Sequence, residues 1–417
     1  MEGAFMSRRL RTGCALGVCA ASLVLVWIVQ RVTHVSLVDV MVYRAAGQTV
    51  RDDGDLYAMR ATSARLPMTY PPFAGLLFVP LTWLDTAAMR TAVTAANLLL
   101  AIVVAGLSLR LVLPRRPDAA LVLGTAAWAV WSEPVFSTVR YGQVNLLLAA
   151  LVLWDFTRSP GNRWSGVGTG LAAAIKITPL LFLAVMAVAA IATRGRGTPW
   201  PRRFLTALAA FAGATLIAVA LLPHDSKTYW TRDAFAPNRS GSAVNVANQS
   251  LRGIVARLQH TQTPSSMWVV AAVLVAIGGT AIAAAALTAP ARLRSSAAWA
   301  TVTCAVTALL VSPITWTHHW VWDVPMAVLL VHEAFRRRDP RWTAGAAACV
   351  VAFSTAAPWT VPHGPGRPEL HENPAQMVVA AIYPLAGIAF LATAAVVTLR
   401  ARAANPTPAA EHGTAAP

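Results

Sequence analysis

Long stretches without a charged residue constrain this sequence more than any other feature. The run from Trp268 to Leu287 is one of several in which no side chain carries a charge. A helix that crosses a bilayer needs about 20 mostly apolar residues. Lipid offers the backbone no hydrogen-bond partners, so such runs must satisfy their own peptide groups as helices, and they lack the alternation of barrel strands. The sequence therefore predicts an all-α integral membrane protein with about 11–12 transmembrane helices.

The composition supports this class and excludes others. Only 12% of the residues are charged, 56% are hydrophobic, and the mean hydropathy is +0.55. A soluble protein of 417 residues needs more charge than this to cover its surface. The net charge of +17 is carried largely by short segments between apolar runs, where it sets topology and contacts anionic lipid headgroups. Membrane lipids are therefore expected partners and nucleic acid is not, while no particular protein partner is indicated.

Basic clusters define the predicted topology. The positive-inside rule makes the segments at 194–203, 292–294, 336–341 and 400–402 cytoplasmic. Residues 1–402 are then one multi-pass transmembrane domain of the plasma membrane, and the Ala-, Pro- and Thr-rich stretch 403–417 is predicted to be a disordered cytoplasmic tail. The predicted external loops are 34–70, 223–267, 313–319 and 358–375.

The first half of the chain allows two threadings. If every apolar run is a span, the pairs Arg115/Arg116 and Arg158/Arg163 fall on the extracytoplasmic side, against the rule. If 71–84 is re-entrant and 167–193 is broken at Pro179, both pairs lie inside. We favour the second threading, which also brings residues 143, 145 and 176 to the outer side.

The first external loop carries the strongest candidate for a catalytic group. Asp39 follows the first helix among apolar neighbours, and burial raises the pKa and basicity of a carboxyl group. Tyr43 is four residues further on, so both share a face if this segment is helical. A simple capping role for Asp39 is the alternative. Tyr70 precedes two prolines where the chain re-enters the membrane, either as an interfacial anchor or as a substrate contact.

Amides and one cation interrupt the next apolar segments. Arg140, Gln143 and Asn145 lie around the start of a helix, and buried amides need partners, either sugar hydroxyls or a neighbouring helix. Lys176 lies in an otherwise apolar run. A cation there is costly and by default indicates function, although its side chain could also extend to the interface.

Two later motifs offer further polar contacts. Asn248, Gln249 and Arg252 lie in the long external loop, where nothing local decides between a functional and a disordered segment. His318 and His319 lie between two spans and lack the additional ligands of a zinc site, so no metal is predicted. Hydrogen bonding to a phosphate or a sugar is the functional interpretation, and an interfacial pair beside tryptophans is the alternative.

In this order the motifs resemble the bacterial polyprenyl-phosphate-mannose-dependent α-(1→2)-mannosyltransferases. The resemblance extends over about residues 12–398. It rests on six motifs: Asp39 with Tyr43, Thr69–Pro72, Gly142-Gln143-x-Asn145, Lys176-x-Thr178-Pro179, Asn248–Leu251 and His318-His319. It implies a C-type glycosyltransferase (GT-C) fold and transfer of mannose from the lipid-linked donor to a mannolipid or mannan acceptor. It also implies that Asp39 is the catalytic base and that His318 lies near the donor phosphate.

The implied chemistry suits the available side chains. Glycosidases need two carboxylates because an alkoxide leaving group must be protonated. A polyprenyl phosphate leaves readily, so one base and some cations suffice, and the candidate cations are Lys176, Arg252, His318 and Arg140. A single displacement inverts the anomeric configuration. Asp53 and Asp55 have the spacing of a metal-binding pair, but they lie in a hydrophilic turn, and we expect no cofactor beyond the lipid-linked donor.

Two other functions remain open from the sequence. A sugar or lipid transporter would need polar residues along a path through several spans, whereas the polar candidates gather toward one face. A C-type transferase for another lipid-linked sugar, such as arabinose, fits the same motifs equally well.

Overall fold

The computed structural model describes residues 8–236 and 241–403, and within these ranges the regular elements are helices. This confirms the predicted all-α class. Short 3₁₀ turns cover Val79–Trp83, Asp233–Phe235, Thr317–Trp320, Ala357–Thr360 and Pro368–His371. The α-helices are α1 (Arg8–Val32), α2 (Val38–Arg51), α3 (Pro72–Phe78), α4 (Thr86–Val112), α5 (Ala119–Ala129), α6 (Glu133–Tyr141), α7 (Asn145–Phe156), α8 (Val167–Ile175), α9 (Leu180–Ala192), α10 (Trp200–Leu221), α11 (Pro223–Thr231), α12 (Leu251–Leu258), α13 (Met267–Leu287), α14 (Ser296–Val311), α15 (Asp323–Arg337), α16 (Pro340–Ser354), α17 (Pro374–Ala380) and α18 (Ile382–Ala403).

Five of these helices are long and apolar enough to cross a bilayer: α1, α4, α10, α13 and α18. The consecutive helices α5 and α6 form a sixth span if they are taken together, although the chain bends by 73° between them. The predicted 11–12 spans exceed this number because several apolar runs are divided into shorter helices. Length and composition alone therefore support five or six spans, and the higher number rests on the short apolar helices.

The run 167–193 shows why the helices are short. It is divided into α8 and α9, with residues 176–179 between them, as the favoured threading predicted. Pro179 precedes the first residue of α9, where a proline loses no helical hydrogen bond. On α8, a methyl group in place of the hydrogen of Gly170 would overlap the backbone of Ala207 in α10. Small residues thus let these short helices pack closely.

The segment 71–84 returns to the face from which it starts. Tyr70 lines a cavity of about 840 Å³, and the carbonyl of Leu84 accepts a hydrogen bond from Arg44 of α2 at 3.3 Å. Gly47 of α2 packs against the backbone of Phe78 so closely that a Cβ atom would not fit. These contacts agree with the re-entrant threading.

The two ends of the helix bundle differ in charge. Trp268 at the start of α13 and Pro313 just after α14 line the cavity, whereas the opposite ends of these helices lead to Arg292 and Arg294. The hydroxyl of Ser295 donates to the carbonyl of Val112 at 3.4 Å, which brings the end of α4 to the same side. We call these two sides the cavity face and the basic face. The tail predicted at 403–417 lies outside the described residues except for its first residue.

Candidate active site

A cavity of about 840 Å³ opens on the cavity face and collects most of the predicted site residues. Its walls come from α2, the segment before α3, the turn before α7, the break between α8 and α9, and the loop between α14 and α15. The predicted residues that line it are Asp39, Tyr43, Tyr70, Gln143, Lys176, His318 and His319. Segments that are more than 250 residues apart in the sequence thus meet in one space.

Asp39 is the second residue of α2 and faces the cavity. Its Oδ2 atom accepts a hydrogen bond from Nε2 of Gln143 at 2.8 Å. The N-cap of α2 is Leu37, in the left-handed conformation, so Asp39 does not occupy the capping position. Burial raises the pKa of Asp39 to about 6, while the Gln143 bond and the charge of Lys176 both oppose that rise. The carboxylate is therefore more basic than usual and still largely ionised at neutral pH.

Two phenols fix the orientation of the Gln143 amide. The Tyr43 hydroxyl lies 2.7 Å and the Tyr70 hydroxyl 3.0 Å from Oε1 of Gln143. Burial raises the pKa of both tyrosines, so they stay protonated and act as donors. Because Oε1 accepts from phenols, the NH₂ group must point toward Asp39. The three side chains therefore hold the carboxylate in one position.

Gly142 makes this arrangement possible. It ends α6 with a φ of 69°, in the left-handed region that glycine adopts without strain. A Cβ atom there would lie only 2.9 Å from Cβ of Val40 in α2. The turn therefore brings Gln143 directly against the start of α2.

Lys176 lies in the break between α8 and α9 and points into the cavity. Its Nζ atom is 3.2 Å from Oδ1 of Asn145 and 3.1 Å from Nε2 of His319. It also lies 5.2 Å from the centre of the Tyr70 ring, within the range of a cation–π interaction. Asn145 in turn donates to the carbonyl of His318 at 2.9 Å. The Asn145 amide oxygen and the Tyr70 ring therefore hold the Lys176 ammonium within the site.

The two histidines present neutral rings to the cavity. Burial and the positive charge of Lys176 lower the pKa of both imidazoles. Nδ1 of His319 accepts from the backbone N–H of Trp316 at 3.2 Å, so the neutral ring carries its proton on Nε2. This N–H and the Lys176 ammonium are both donors, and an anion in the cavity can accept from both. Nε2 of His318 is buried and has no hydrogen-bond partner among the described residues. Such an atom needs a partner from outside the chain, and it faces the cavity.

Asn248 and Gln249 lie elsewhere, which corrects the prediction that they contact substrate. Both are fully buried and absent from the cavity wall. Asn248 donates to the carbonyl of Ala243 at 3.1 Å and accepts from the backbone N–H of Thr315 at 3.0 Å. Gln249 donates to the carbonyl of Val246 at 2.7 Å. The Asn248 amide therefore joins the external loop to the segment that leads into the histidines, and the Gln249 amide also joins this loop to the carbonyl of Ala380 in α17 at 2.6 Å.

The remaining predicted residues stand behind the cavity or away from it. Asn145 is a support for Lys176 and His318 and lines only a small adjoining space. Arg252 places its guanidinium 5.6 Å from the ring of Trp268, and it is Trp268 that lines the cavity. Arg140 is exposed at the end of α6 and is not among the residues that line the cavity.

Sequence reasoning missed an aromatic part of the wall. Tyr141 packs its ring 5.1 Å from that of His318, and Trp359 lines the cavity from the far loop. The indole N–H of Trp359 donates to Glu133 at 2.9 Å, and Tyr383 donates to the same buried carboxylate at 3.1 Å. An acid such as Glu133 within an apolar run was the signal that could have revealed this cluster.

One aspartate of the hydrophilic turn, Asp55, binds neighbouring backbone groups and lies 3.6 Å from His224. Asp55 accepts hydrogen bonds from the backbone N–H groups of Tyr57 and Ala58 at 2.8 and 2.9 Å. No group of three or more His, Cys, Asp or Glu residues suited to a metal ion occurs within residues 8–236 and 241–403.

Comparisons with known proteins identify the family. Residues 68–313 match glycosyltransferase family 87. The chain is 34% identical over 326 residues to the polyprenol-phosphate-mannose-dependent α-(1-2)-phosphatidylinositol mannoside mannosyltransferase of Mycobacterium tuberculosis, covering 72% of each chain. It is 32% identical to the corresponding pentamannoside mannosyltransferase of that species, covering 80% of this chain and 75% of the relative.

Among solved structures, ArnT from Cupriavidus metallidurans bound to undecaprenyl phosphate is similar at 14% identity and a TM-score of 0.46. That match covers 94% of this chain and 78% of ArnT. The family match extends over more than half of the sequence, and the curated relatives cover about three quarters of it. The chain belongs to glycosyltransferase family 87 and is a membrane glycosyltransferase.

Proposed function

We propose that this enzyme transfers mannose from polyprenyl-phosphate-mannose to a mannolipid or mannan acceptor and forms an α-(1→2) linkage. The observation that carries the proposal is one cavity that holds an elevated-pKa carboxylate, Asp39, together with a lysine–histidine group, Lys176 and His319. The names of the family relatives supply the sugar, the lipid carrier and the linkage.

Asp39 acts as the base in this proposal. Gln143 occupies only Oδ2 of the carboxylate, and the other oxygen is left for the hydroxyl of the acceptor. As that hydroxyl attacks the anomeric carbon, its proton passes to Asp39 and the bond from the anomeric carbon to the phosphate oxygen breaks. One displacement inverts the configuration, so a β-linked donor gives an α-mannoside.

Lys176 and the two histidines bind the phosphate end of the donor. The ammonium of Lys176 and the N–H of His319 lie together, and a charged donor forms the stronger hydrogen bonds to a phosphate. As the phosphate leaves, it gains negative charge, which these donors stabilise where it develops. We propose no metal and no cofactor beyond the lipid-linked donor, because the leaving group needs no protonation and the chain supplies the cation.

The proposal places the cavity on the extracytoplasmic side of the plasma membrane. The positive-inside rule assigns the basic face to the cytoplasm. Cysteines introduced at Asp53 and Arg338, with the exposed Cys14 replaced by Ser, should react with an impermeant thiol reagent from opposite sides of the membrane. Reaction from the same side would contradict this placement.

The activity is tested with purified enzyme, radiolabelled polyprenyl-phosphate-mannose and a panel of mannolipids. We expect a labelled product whose new linkage is α-(1→2), and no product from GDP-mannose. Polyprenyl-phosphate-arabinose is tested as the comparison donor, because transfer of arabinose is the alternative function. Transfer from the arabinose donor alone would overturn the assignment to mannose. Movement of labelled lipid across proteoliposomes without any product would indicate a transporter.

A further inference from the structure

A second cavity, of about 640 Å³, lies on the basic face. Five arginines from three parts of the chain line it: Arg292 and Arg294 from the loop before α14, Arg336 and Arg337 from the end of α15, and Arg400 from the end of α18. We call it the basic pocket.

The charges in the basic pocket are only partly balanced. Glu333 accepts hydrogen bonds from Arg336 and, at 2.6 Å, from Arg337. Arg294 and Arg400 have no carboxylate within 4.0 Å among the residues that the structure describes. One acid therefore faces five bases, and like charges that converge on one space favour a bound anion.

Apart from Thr393, the rest of the pocket lining is apolar, and it adjoins an exposed apolar surface of α18. Trp342 lies under the guanidinium of Arg337, 4.3 Å from its ring centre. Val396 of α18 lines the pocket and is 48% exposed, and the neighbouring Leu399 is 62% exposed. A row of arginines beside an exposed apolar helix surface matches an amphiphile with an anionic head and a hydrocarbon tail.

The basic pocket is separate from the active-site cavity. Helix α15 has 15 residues, so it is about 22 Å long, and it begins just after the histidines and ends at the arginines. A lipid held by the arginines is therefore out of reach of Asp39. We propose that the basic pocket binds the phosphate headgroup of an anionic membrane lipid and thereby joins the ends of α15 and α18 to the loop before α14.

The test uses the full-length enzyme in neutral detergent and measures lipid binding by native mass spectrometry together with the melting temperature. The probes are phosphatidylglycerol, phosphatidylcholine and inorganic phosphate. The variant Arg294→Gln/Arg400→Gln removes two of the pocket arginines that have no carboxylate within 4.0 Å among the described residues. The control Arg115→Gln/Arg116→Gln removes an exposed pair from the loop after α4, on the same face and outside the pocket.

We expect the enzyme to bind phosphatidylglycerol in preference to phosphatidylcholine and to melt at a higher temperature with it. The pocket variant should bind phosphatidylglycerol about tenfold more weakly or worse, since each lost charge-assisted contact is a strong one. The control should bind normally, and Arg294→Lys/Arg400→Lys should show an intermediate loss. Equal loss in the control, no preference for the anionic lipid, or equally strong binding of inorganic phosphate would each overturn the proposal.

Discussion

Two pairs of buried amides, Gln143 with Asn145 and Asn248 with Gln249, illustrate how the same residue types serve different ends. In the first pair the amides bind a carboxylate and an ammonium, those of Asp39 and Lys176. In the second pair the amides bind backbone carbonyls and a backbone N–H. Each of the four amides makes at least one hydrogen bond, as buried amides generally do, although Oε1 of Gln249 has no partner among the described residues. Only the first pair contacts side chains that can take part in a reaction, a carboxylate and an ammonium.

The difference lies in the partners, which are remote in the sequence. Gln143 and Asp39 are 104 residues apart, and Asn248 meets Thr315 across 67 residues. A sequence marks an amide among apolar residues as unusual, but it does not show what the amide faces. Substitutions at these residues and their partners distinguish the chemical role of the first pair from the structural role of the second.

The largest effect should follow Asp39→Asn. Asparagine keeps the size and accepts hydrogen bonds, but it cannot take a proton, so turnover should fall about 10²–10⁴-fold. Donor binding and the melting temperature should stay near those of the unmodified enzyme, because Asp39 is not the cap of α2. Single-turnover kinetics with the lipid-linked donor measure the loss.

The matched control is Asp233→Asn, since Asp233 lines the same cavity and pairs with Arg232 at 2.9 Å. It should retain most of the activity. If turnover were near normal in Asp39→Asn and almost lost in Asp233→Asn, Asp233 would be the base.

Lys176→Met should have the next largest effect. Methionine fills a similar volume and removes the cation that faces His319 and Asn145. The loss of a charged hydrogen bond costs about 1.5–3 kcal/mol, which corresponds to about a 10- to 100-fold decrease in kcat/KM for the donor. Arg140→Gln removes a cation that does not reach the wall and should have no comparable effect. If Lys176→Met and Arg140→Gln had the same kinetics, Lys176 would contribute only packing.

Asn248→Ala should act on stability and leave the chemistry of the folded enzyme intact. It removes the partners of the Ala243 carbonyl and the Thr315 N–H, and each buried group left without a partner costs about 1–3 kcal/mol. We expect a lower melting temperature and near-normal turnover per folded molecule. A variant that melts normally but loses donor affinity would restore Asn248 to the substrate site.

The sequence predicted the helical class and the break in 167–193 because apolar runs and proline act locally. It also predicted which residues meet at the cavity where a charged or aromatic side chain stood out, as with Asp39, Tyr70 and Lys176. The sequence does not predict the cluster around Glu133, because its partners Trp359 and Tyr383 lie more than 220 residues away. The sequence places Arg140 in the site because its neighbours lie there, yet its side chain is exposed at the end of α6.

The smallest effect should be a displaced pH profile in Gln143→Leu. The Gln143 amide donates to the charged form of Asp39 and so lowers the pKa of that carboxyl, which burial raises to about 6. A base must be deprotonated, so kcat/KM should rise with pH through that pKa and level off above it. Without the amide, the charged form of Asp39 loses a hydrogen-bond donor, so the pKa of the carboxyl group rises further. The ascending part of the pH profile then moves to higher pH. The rate on the plateau should change less than the rate at pH 6. Tyr43→Phe is the control, because it removes a donor to Gln143 and leaves the bond to Asp39 in place. A limb that stays in place in Gln143→Leu, or moves to lower pH, would show that the amide does not set the basicity of Asp39.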